Sequence, residues 1–484
     1  MPQEPTSLDF SHDGLSDFLR EAVTMAERFF ANAGTQPGYR YFSQEEVMSW
    51  FDEPLPETGM NHHDLFKMVQ DKVLDTATGN VGPNMYAYVM AGGNHVSAVA
   101  DFIASTVSQN TTKWHLGPSM TEIEKRVVAW TAEMIGYTPD AGGVMVSGGS
   151  GANLAGLTVA RNIHFMNEGV RTRGLFGMQP FTVYCSTETH NCIDKSVAEL
   201  GIGTDHLRRI PAKPDFTADV EAMEIVIQND IKSGFKPFCL VGNAGTVNTG
   251  AIDDLEALSR LAKKYNMWFH VDGAYGGLAA SIPGLRSRYK GMEAADSVAL
   301  DFHKWLYQPY EVGCVLVKSW DMLRNTYLNR ASYLDTSLQR MDGKTEFNEH
   351  YFQLSRNSKA FKVWMSLKAY GFGRFREMIH KDIQLAAYLA DQVESSEDFQ
   401  LCSRDILGIT CFRYTGTLAD ETEITTFNRQ LIAALEEDGR VFITGTTLNG
   451  RFVIRACVNN HRKQEKDIDY LLETIRDVAR KIMD

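Results

Sequence analysis

From about residue 140, short apolar runs alternate with segments whose apolar positions recur at helical spacing. The runs predict six strands, with the sequences GVMVSGG, FTVYCS, FCLVGNAG, WFHVDG, SVALDF and GCVLVK. Strands that are apolar throughout and separated by helices are typical of a mostly parallel sheet covered by helices on both faces. We therefore expect an α/β domain whose functional residues gather where the strands end.

The two ends of the chain show a different pattern. Residues 14–33 have helical spacing, and Ser43 with Glu46 forms a capping-box pattern before a second helix. After about residue 365, a long predicted helix leads into the strands ILGITCFRYTG and RFVIRACV and then into a closing helix. The pattern predicts three parts, an N-terminal helical segment at 1–95, a large domain at 96–365 and a small α+β domain at 366–484.

Composition narrows the class of protein. A chain of 484 residues with 44% hydrophobic content is typical of a globular protein of more than one domain. Its net charge of −13 disfavours a nucleic-acid partner, which would need a basic stripe. No apolar run approaches the ~20 residues of a membrane span, and the polar N-terminus does not resemble a signal peptide. Seven dispersed cysteines predict a cytoplasmic protein with reduced thiols and no metal site.

Charged residues stand directly after two of the predicted strands. SVALDFHKW places His303 and Lys304 after an apolar run, and WFHVDGAYGG ends its run at Asp272. A lysine amine can attach covalently to the aldehyde of pyridoxal phosphate (PLP), and a carboxylate can keep the pyridine nitrogen of PLP protonated. The two stretches together favour a PLP site over a solvated surface lysine.

A glycine-rich loop, at 147–151, lies between a predicted strand and a predicted helix. Its glycines let backbone N–H groups approach a phosphate, and the helix N-terminus favours the negative charge. The loop lacks the Lys-Ser/Thr of a Walker loop and the spacing of a dinucleotide fingerprint. We predict that Gly149 and Ser150 bind phosphate; a simple tight turn is the alternative for the loop taken alone.

These motifs resemble those of the group II PLP-dependent amino-acid decarboxylases, which include aromatic-amino-acid, glutamate, cysteine-sulfinate and diaminobutyrate decarboxylases. DFHKW, HVDGAYGG, VSGGSGANL and the histidine of STETHNCIDKS stand in the family's order, and the resemblance spans roughly residues 60 to 480. It implies PLP fold type I, the aspartate-aminotransferase-like architecture. It also implies a homodimer with active sites at the subunit interface, in which the N-terminal helices wrap around the partner.

The resemblance further implies roles for residues around the cofactor. Lys304 matches the lysine that carries the cofactor, and Asp272 matches the partner of the ring nitrogen. His190 matches a histidine that stacks on the ring and can touch the substrate carboxylate. The remaining implied cofactor contacts are Thr246, Ala274 against the ring face and His303 at the phosphate.

The expected substrate contacts are spread along the chain. Tyr86 and Tyr88 lie in a segment that lines the substrate pocket in the family, although Gly82–Pro83 stands where many members carry His-Pro. Trp114 precedes a predicted core helix and is a pocket candidate, with ordinary packing as the alternative. Arg455 matches an arginine that binds the substrate carboxylate in some members, and a structural salt bridge is its alternative.

The polar segment 334–351 is expected to be a mobile loop that closes over the site. In the family, this loop carries the tyrosine that supplies the proton at Cα. An ungapped alignment puts that position near Phe347, and Tyr351 lies four residues away. Tyr351 as the proton donor predicts an amine product, whereas a phenylalanine in the donor position predicts an aldehyde.

The sequence therefore predicts a cytoplasmic, homodimeric PLP-dependent decarboxylase that converts an L-amino acid into its amine and CO2. An aromatic substrate is favoured by Tyr86, Tyr88 and Trp114. One alternative is a decarboxylase of an acidic or other polar amino acid, such as glutamate, aspartate, cysteine sulfinate or diaminobutyrate. Another is an aldehyde synthase that couples decarboxylation to oxidative deamination. A non-catalytic relative of the fold is disfavoured by the intact set of Lys304, Asp272 and His190.

Overall fold

A computed structural model describes residues 8–329, 343–404 and 406–484. Within these residues the strands form one seven-stranded and one four-stranded sheet. The strands are β1 Gly142–Val146, β2 Phe181–Ser186, β3 Leu207–Ile210, β4 Lys236–Asn243, β5 Trp268–Asp272, β6 Ser297–Asp301, β7 Gly313–Val317, β8 Phe399–Arg404, β9 Ile409–Tyr414, β10 Thr444–Leu448 and β11 Arg451–Cys457.

The α-helices of the described residues account for most of the remaining regular structure. They are α1 His12–Ala31, α2 Gln44–Phe51, α3 His62–Val69, α4 His95–Val107, α5 Pro118–Ile135, α6 Gly148–His164, α7 Val170–Arg173, α8 Cys192–Glu199, α9 Val220–Lys232, α10 Leu255–Lys264, α11 Phe302–Trp305, α12 Trp320–Tyr327, α13 Lys359–Tyr370, α14 Phe372–Glu394, α15 Glu421–Asp438 and α16 Glu465–Met483. The predicted capping box at the start of α2 is confirmed, because Ser43 and Glu46 exchange side-chain and backbone hydrogen bonds. None of the helices in these residues has the length and apolar character that a membrane crossing requires.

The large sheet has the strand order β1-β7-β6-β5-β4-β2-β3. Its pairs from β6 through β5, β4 and β2 to β3 are parallel, which confirms the predicted mostly parallel sheet. Strand β7 is antiparallel to both β1 and β6. Residues 302–312 between β6 and β7 are too few for the crossover that a parallel pair requires, so the chain reverses direction there.

The ends of several strands lie side by side along one edge of this sheet. Asp272 pairs in register with Asn243 of β4 and Ala299 of β6, so the ends of the three strands are neighbours. The start of β7 fits closely against the start of α6, because a Cβ added at Gly313 would lie 2.6 Å from the backbone of Gly148. The glycine loop at the start of α6 therefore sits at the same edge as the ends of β5 and β6.

The chain forms two compact units. Unit one contains the described residues up to Tyr88, together with Thr417–Ile454 and Arg462–Asp484. Unit two contains the described residues within Val89–Gly416 and Arg455–His461, and it includes the whole large sheet. The smaller sheet has the order β10-β11-β9-β8. The domain boundaries expected from the sequence, at 1–95, 96–365 and 366–484, stay a prediction.

A buried ion pair joins α5, β1 and the segment before α13. The Nη2 atom of Arg356 lies 2.5 Å from Oε1 of Glu124 and 3.1 Å from the carbonyl oxygen of Met145. The backbone N–H of Met145 donates to the same Glu124 oxygen at 2.9 Å. The side chains of Arg356 and Glu124 are only 3% and 0% exposed, so each charge depends on the other for compensation.

Replacing Arg356 with methionine should lower the free energy of unfolding by about 3–5 kcal/mol, because Glu124 would keep its buried charge without a partner. Arg374→Met is the matched control, since Arg374 pairs with Glu377 where both side chains are more than 60% exposed. That control should cost less than about 1 kcal/mol. Urea denaturation of the three proteins measures both values, and equal losses in the two variants would contradict the assignment.

Candidate active site

The end of β6 brings an aspartate, a histidine and a lysine together. Asp301 is the last residue of β6, and His303 and Lys304 follow in α11. One carboxylate oxygen of Asp301 lies 2.8 Å from Nδ1 of His303, at an angle that does not fit a hydrogen bond, and the other lies 3.9 Å from Nζ of Lys304. The Asp301 side chain is only 3% exposed. A buried carboxylate therefore lies directly beside Lys304.

The glycine loop packs against this cluster. The backbone N–H of Gly149 donates to Asp301 Oδ2 at 2.8 Å. A Cβ added at Gly149 would lie 2.8 Å from Cβ of Ala274, and one at Gly148 would lie 2.9 Å from Cε1 of His303. Gly148 also has φ +76°, a conformation that favours glycine. The loop can approach Ala274 and His303 this closely only because it has no side chains at these two positions.

Asp272 at the end of β5 belongs to the same electrostatic neighbourhood. Its Oδ1 accepts the backbone N–H of Ala274 at 3.0 Å. Burial lowers the pKa of His190, the charge of Asp272 opposes this shift, and the charge of Lys304 adds to it. Burial raises the pKa of the Cys192 thiol, where Asp272 and Lys304 again act in opposite directions. Asp272 and Lys304 thus act on the same two side chains.

The loop after β4 begins beside Asp272. The backbone N–H of Ala244 donates to the carbonyl oxygen of Asp272 at 2.9 Å. Two residues further on, the hydroxyl of Thr246 lies 3.1 Å from that of Thr249. Nε of Arg455 donates to the carbonyl oxygens of residues 247 and 248 at 2.9 and 3.3 Å. Arg455 therefore supports the loop that carries Thr246.

Comparison with known proteins identifies the family. Residues 45–415 match the model of the pyridoxal-dependent decarboxylase conserved domain. The chain belongs to this family. It is 33% identical to an aromatic-L-amino-acid decarboxylase of Bacillus atrophaeus, with 98% of each chain covered. It is 25% identical to a phenylacetaldehyde synthase of Arabidopsis thaliana, with 96% of this chain and 94% of the relative covered.

Solved structures share the fold of this decarboxylase. A crystal structure of Oryza sativa TDC with PLP and tryptamine superposes with a TM-score of 0.93 at 24% sequence identity, covering 99% of this chain and 100% of the other. The predicted PLP fold type I is therefore confirmed, with its large mostly parallel sheet and a small second sheet.

The cofactor of the family is pyridoxal phosphate, and the cluster in this decarboxylase fits it. Lys304 offers a primary amine, Asp272 a carboxylate and Gly148–Gly149 a stretch of backbone without room for a Cβ. Ser150 is exposed on the first turn of α6. The structure brings Gly149, Ala274, His303 and Lys304 together around one buried carboxylate, and their individual roles stay predictions.

The two tyrosines expected at the substrate lie in unit one. Tyr86 is fully buried, its hydroxyl donates to the carbonyl oxygen of Asp467 at 2.8 Å, and Nζ of Lys463 lies 3.5 Å from its ring centroid. Tyr88 is 60% exposed, and its ring lies 6.2 Å from that of Phe442. Tyr86 is thus a core residue of unit one, a position that the alternation of tyrosines could not distinguish from a pocket.

Three further substrate or catalytic candidates lie outside the Lys304 cluster. Trp114 donates from Nε1 to Oε1 of Glu122 at 3.1 Å. Phe347 and Tyr351 are buried in the hydrophobic core, and the guanidinium of Arg356 lies 4.7 and 5.9 Å from their ring centroids. Burial raises the pKa of Tyr351 to about 12. Phe347 and Tyr351 are the aromatic residues of an otherwise polar segment, and the hydrophobic effect explains why they pack into the core. Residues 334–342 of the expected loop lie outside the described residues.

Sequence reasoning missed two members of the cluster. Asp301 contacts Gly149, His303 and Lys304, and its only sequence signal is an acidic residue three positions before the lysine. Tyr310 places its ring 4.4 Å from the ring of His303; partial burial raises its pKa to about 12, although the residue remains 52% exposed. Its position follows from the chain reversal before β7, which the sequence did not predict.

A group of possible metal ligands occurs in unit one, although no metal site was expected. Oε2 of Glu21 lies 3.0 Å from Nδ1 of His63 and 3.9 Å from Nε2 of His62. The side chain of His63 is 74% exposed. The contact between Glu21 and His63 is an ordinary surface hydrogen bond, which joins α1 to α3.

Gly149→Ala should weaken binding of PLP to the apoenzyme at least about tenfold, because the new Cβ would push against Ala274 and Asp301. Gly151→Ala is the matched control, since its Cβ would lie 3.6 Å from Val146, an ordinary contact. Its dissociation constant should stay within about twofold of the wild type. Titration of each apoenzyme with PLP gives the dissociation constants. Unchanged affinity in Gly149→Ala would remove the loop from the cofactor site.

Proposed function

We propose that this PLP-dependent decarboxylase converts an aromatic L-amino acid into its amine and CO2, with Lys304, Asp272 and His190 as catalytic residues. The observation that carries the assignment is geometric: Asp272 ends β5, Lys304 directly follows the neighbouring strand β6, and the glycine loop packs against residues beside both of them. The aromatic substrate is supported by the relative at 33% identity, whose name specifies aromatic L-amino acids.

Each residue has a distinct task in this proposal. When bound, PLP supplies an electron-withdrawing ring that accepts the electron pair left on Cα as CO2 departs. The Asp272 carboxylate would keep the ring nitrogen protonated, and the amine of Lys304 would hold the cofactor covalently. By orienting the substrate carboxylate, the site selects which bond to Cα breaks.

His190 contributes as a neutral, flat ring. Partial burial lowers its pKa from the ordinary value, which favours the uncharged imidazole. The backbone N–H of Cys192 donates to Nδ1 of His190 at 3.2 Å, which leaves the ring proton on Nε2. A neutral imidazole can stack on the protonated pyridine ring without adding a second positive charge, and its Nε2–H is a donor for the substrate.

The leading alternative is an aldehyde synthase. It is supported by the phenylacetaldehyde synthase among the relatives; the ungapped alignment also puts the position of the family's proton-donating tyrosine near Phe347, although Phe347 is buried in the hydrophobic core. Such an enzyme would release aldehyde, ammonia and hydrogen peroxide in place of the amine. An acidic or other polar substrate is the second alternative. Both alternatives keep Lys304 and Asp272 in the same roles and differ only in the substrate or product.

A substrate and product screen tests the proposal. At least one of phenylalanine, tyrosine and tryptophan should exceed glutamate, aspartate, cysteine sulfinate and diaminobutyrate in kcat/KM by about 100-fold or more, because charge mismatch in a buried site is costly. CO2, amine and hydrogen peroxide are measured side by side, and the amine should equal the CO2. An acidic preference would overturn the substrate, and stoichiometric peroxide would establish the synthase.

Borohydride reduction supplies the control for the site itself. The cofactor mass should appear on the peptide that contains Lys304, and Lys304→Ala should lose both the label and turnover, since it removes the attaching amine. A label on a different lysine would refute the assignment of Lys304 whatever the substrate is.

We further propose that two chains form a homodimer with the active sites at their interface. Helix α1 has 20 residues, but none of them is buried. Large apolar side chains are exposed throughout this N-terminal region, and a monomer in water would seldom leave so many uncovered. They include Leu8, Phe10, Leu15, Val23, Met48, Phe51 and Leu55. A second chain of the same kind would cover them.

Sedimentation at assay concentration should therefore give twice the chain mass of 54.2 kDa. Val23→Glu in α1 should shift the protein toward monomer and reduce activity at least about tenfold, since a charge would enter an apolar interface. Ile225→Glu is the matched control, because Ile225 is similarly exposed, at 59% against 55% for Val23, on a helix of unit two. A fully active wild-type monomer would refute the dimer.

A cytoplasmic location is also part of the proposal. It is supported by the cysteines, all seven of which lie in the described residues and form no disulfide. Reduced thiols are typical of a cytoplasmic compartment.

A further inference from the structure

A chain of hydrogen bonds runs through the core next to the cofactor site. Nε1 of Trp268 donates to Oγ of Ser297 at 2.8 Å, and that oxygen lies 2.7 Å from Nδ1 of His270. Nε2 of His270 lies 2.8 Å from Oδ1 of Asn153. Ser297, His270 and Asn153 are all 0% exposed. The four side chains are therefore buried and hydrogen-bonded to one another.

The protons in this chain have one consistent arrangement. The Oδ1 atom of Asn153 can only accept, so Nε2 of His270 must carry a hydrogen. The indole of Trp268 can only donate, so Ser297 accepts from it and directs its own hydrogen to Nδ1 of His270. His270 is therefore neutral, as the Nε2–H tautomer. Protonation of Nδ1 would turn this acceptor into a donor that faces the Ser297 hydroxyl.

The other end of the chain reaches the groups assigned to the cofactor. Nδ2 of Asn153 donates to the carbonyl oxygen of Gly149 at 3.0 Å and to Sγ of Cys192 at 3.4 Å. Cys192 in turn donates its backbone N–H to His190. One amide thus bonds both the glycine loop and the first residue of α8, which holds His190.

Close packing fixes the distance between His270 and helix α6. A Cβ added at Gly156 would lie 2.7 Å from Cε1 of His270, so the helix has no freedom to approach further. Side chains alternate along a strand, so His270 and Asp272 point to the same face of β5. Burial lowers the pKa of His270 to about 4, and in the described part of the chain Asp272 is the charged group that acts against this shift. The neighbours of His270 on α6 and β6, which are Asn153, Gly156 and Ser297, carry no charge.

We propose that Asn153 is a positioning residue of the decarboxylase and that the neutral His270 fixes the orientation of its amide. The amide then donates hydrogen bonds to the carbonyl of Gly149 and the thiol of Cys192. The first bond positions the glycine loop to bind phosphate, and the second positions the backbone N–H of Cys192 that donates to His190. Because His270 stays uncharged, the carboxylate of Asp272 remains available to the ring nitrogen. The inference rests on the proposed assignment of Gly149, His190 and Asp272 to the cofactor.

Affinity of the apoenzyme for PLP tests the role of Asn153. Asn153→Asp keeps the acceptor for His270 but replaces the donor with an oxygen that faces the Gly149 carbonyl, so the dissociation constant should rise at least about tenfold. Asn162→Asp is the matched control, because Asn162 is also buried on α6 and accepts from Arg161 through the oxygen that aspartate retains. Equal affinities in the two variants would overturn the proposal.

A second measurement follows the proton and does not depend on turnover. With its pKa lowered from 6.5 to about 4 by burial, His270 binds a proton more readily in the unfolded chain, so its contribution to stability is present above pH 6.5 and is lost as the pH falls toward 4. His270→Gln can bond Asn153 and Ser297 without titrating. It should keep PLP affinity within about threefold and show a smaller loss of Tm between pH 7 and 5 than the wild type.

His270→Leu, which breaks the chain, completes the set. Its PLP affinity should fall at least about tenfold, whereas the glutamine variant retains it. An unchanged acid sensitivity in His270→Gln, or equal affinities in the glutamine and leucine variants, would overturn the proposal even if Asn153→Asp failed to fold. If the borohydride label appears on Lys304 but these differences are absent, only the positioning inference fails. A wild type that does not attach PLP at Lys304 would defeat the proposed function instead.

Discussion

The carboxylate of Asp301 is the contact on which the geometry of the site depends. It accepts the Gly149 N–H with one oxygen, contacts His303 with the other and lies 3.9 Å from the amine of Lys304. These groups come from the end of β6, from α11 and from α6, which begins after β1. A buried charge is stable only where donors and cations surround it, so Asp301 holds three elements in one arrangement. An apolar residue in its place would remove the hydrogen bond that ties the glycine loop to the end of β6.

In the site, the opposite charges of Asp272 and Lys304 act on neighbouring histidine and cysteine side chains. Asp272 and Lys304 act in opposite directions on His190 and Cys192; partial burial lowers the pKa of His190, and burial raises the pKa of the Cys192 thiol. His270, two residues before Asp272, is neutral for a different reason, since its hydrogen-bond partners leave no place for a second proton. Two histidines near one carboxylate thus remain uncharged, and that carboxylate can serve a cationic ring.

The sequence predicted the parts of the site that depend on local order along the chain. Apolar runs located the strands, and the residues just past them, Asp272 and Lys304, therefore fell at one sheet edge. The capping box at Ser43 was predictable because all its atoms lie within four residues. The contact between Gly149 and Ala274 could not be derived in this way, since it depends on how α6 packs against β5 and β6.

Aromatic side chains were the least predictable class, for a physical reason. A phenylalanine or tyrosine stabilises a hydrophobic core and a substrate pocket by the same burial of apolar area, so residue type does not distinguish the two. Tyr86 and Phe347 are accordingly found in the cores, where cationic side chains lie over their rings. The hydrogen-bond chain through Asn153 could not be predicted from the sequence either, because Asn153 and His270 are more than a hundred positions apart.

The uncovered apolar face of α1 has a consequence for how the protein is made. A helix that buries none of its side chains within its own chain gains little stability from tertiary packing. If a second chain covers it, the final step of folding requires an encounter, and its rate depends on protein concentration. Until that encounter, Leu15 and Val23 stay exposed to every other apolar surface in the cell. Chains that are dilute or slowly synthesised would then depend most on chaperones, because they wait longest for a partner.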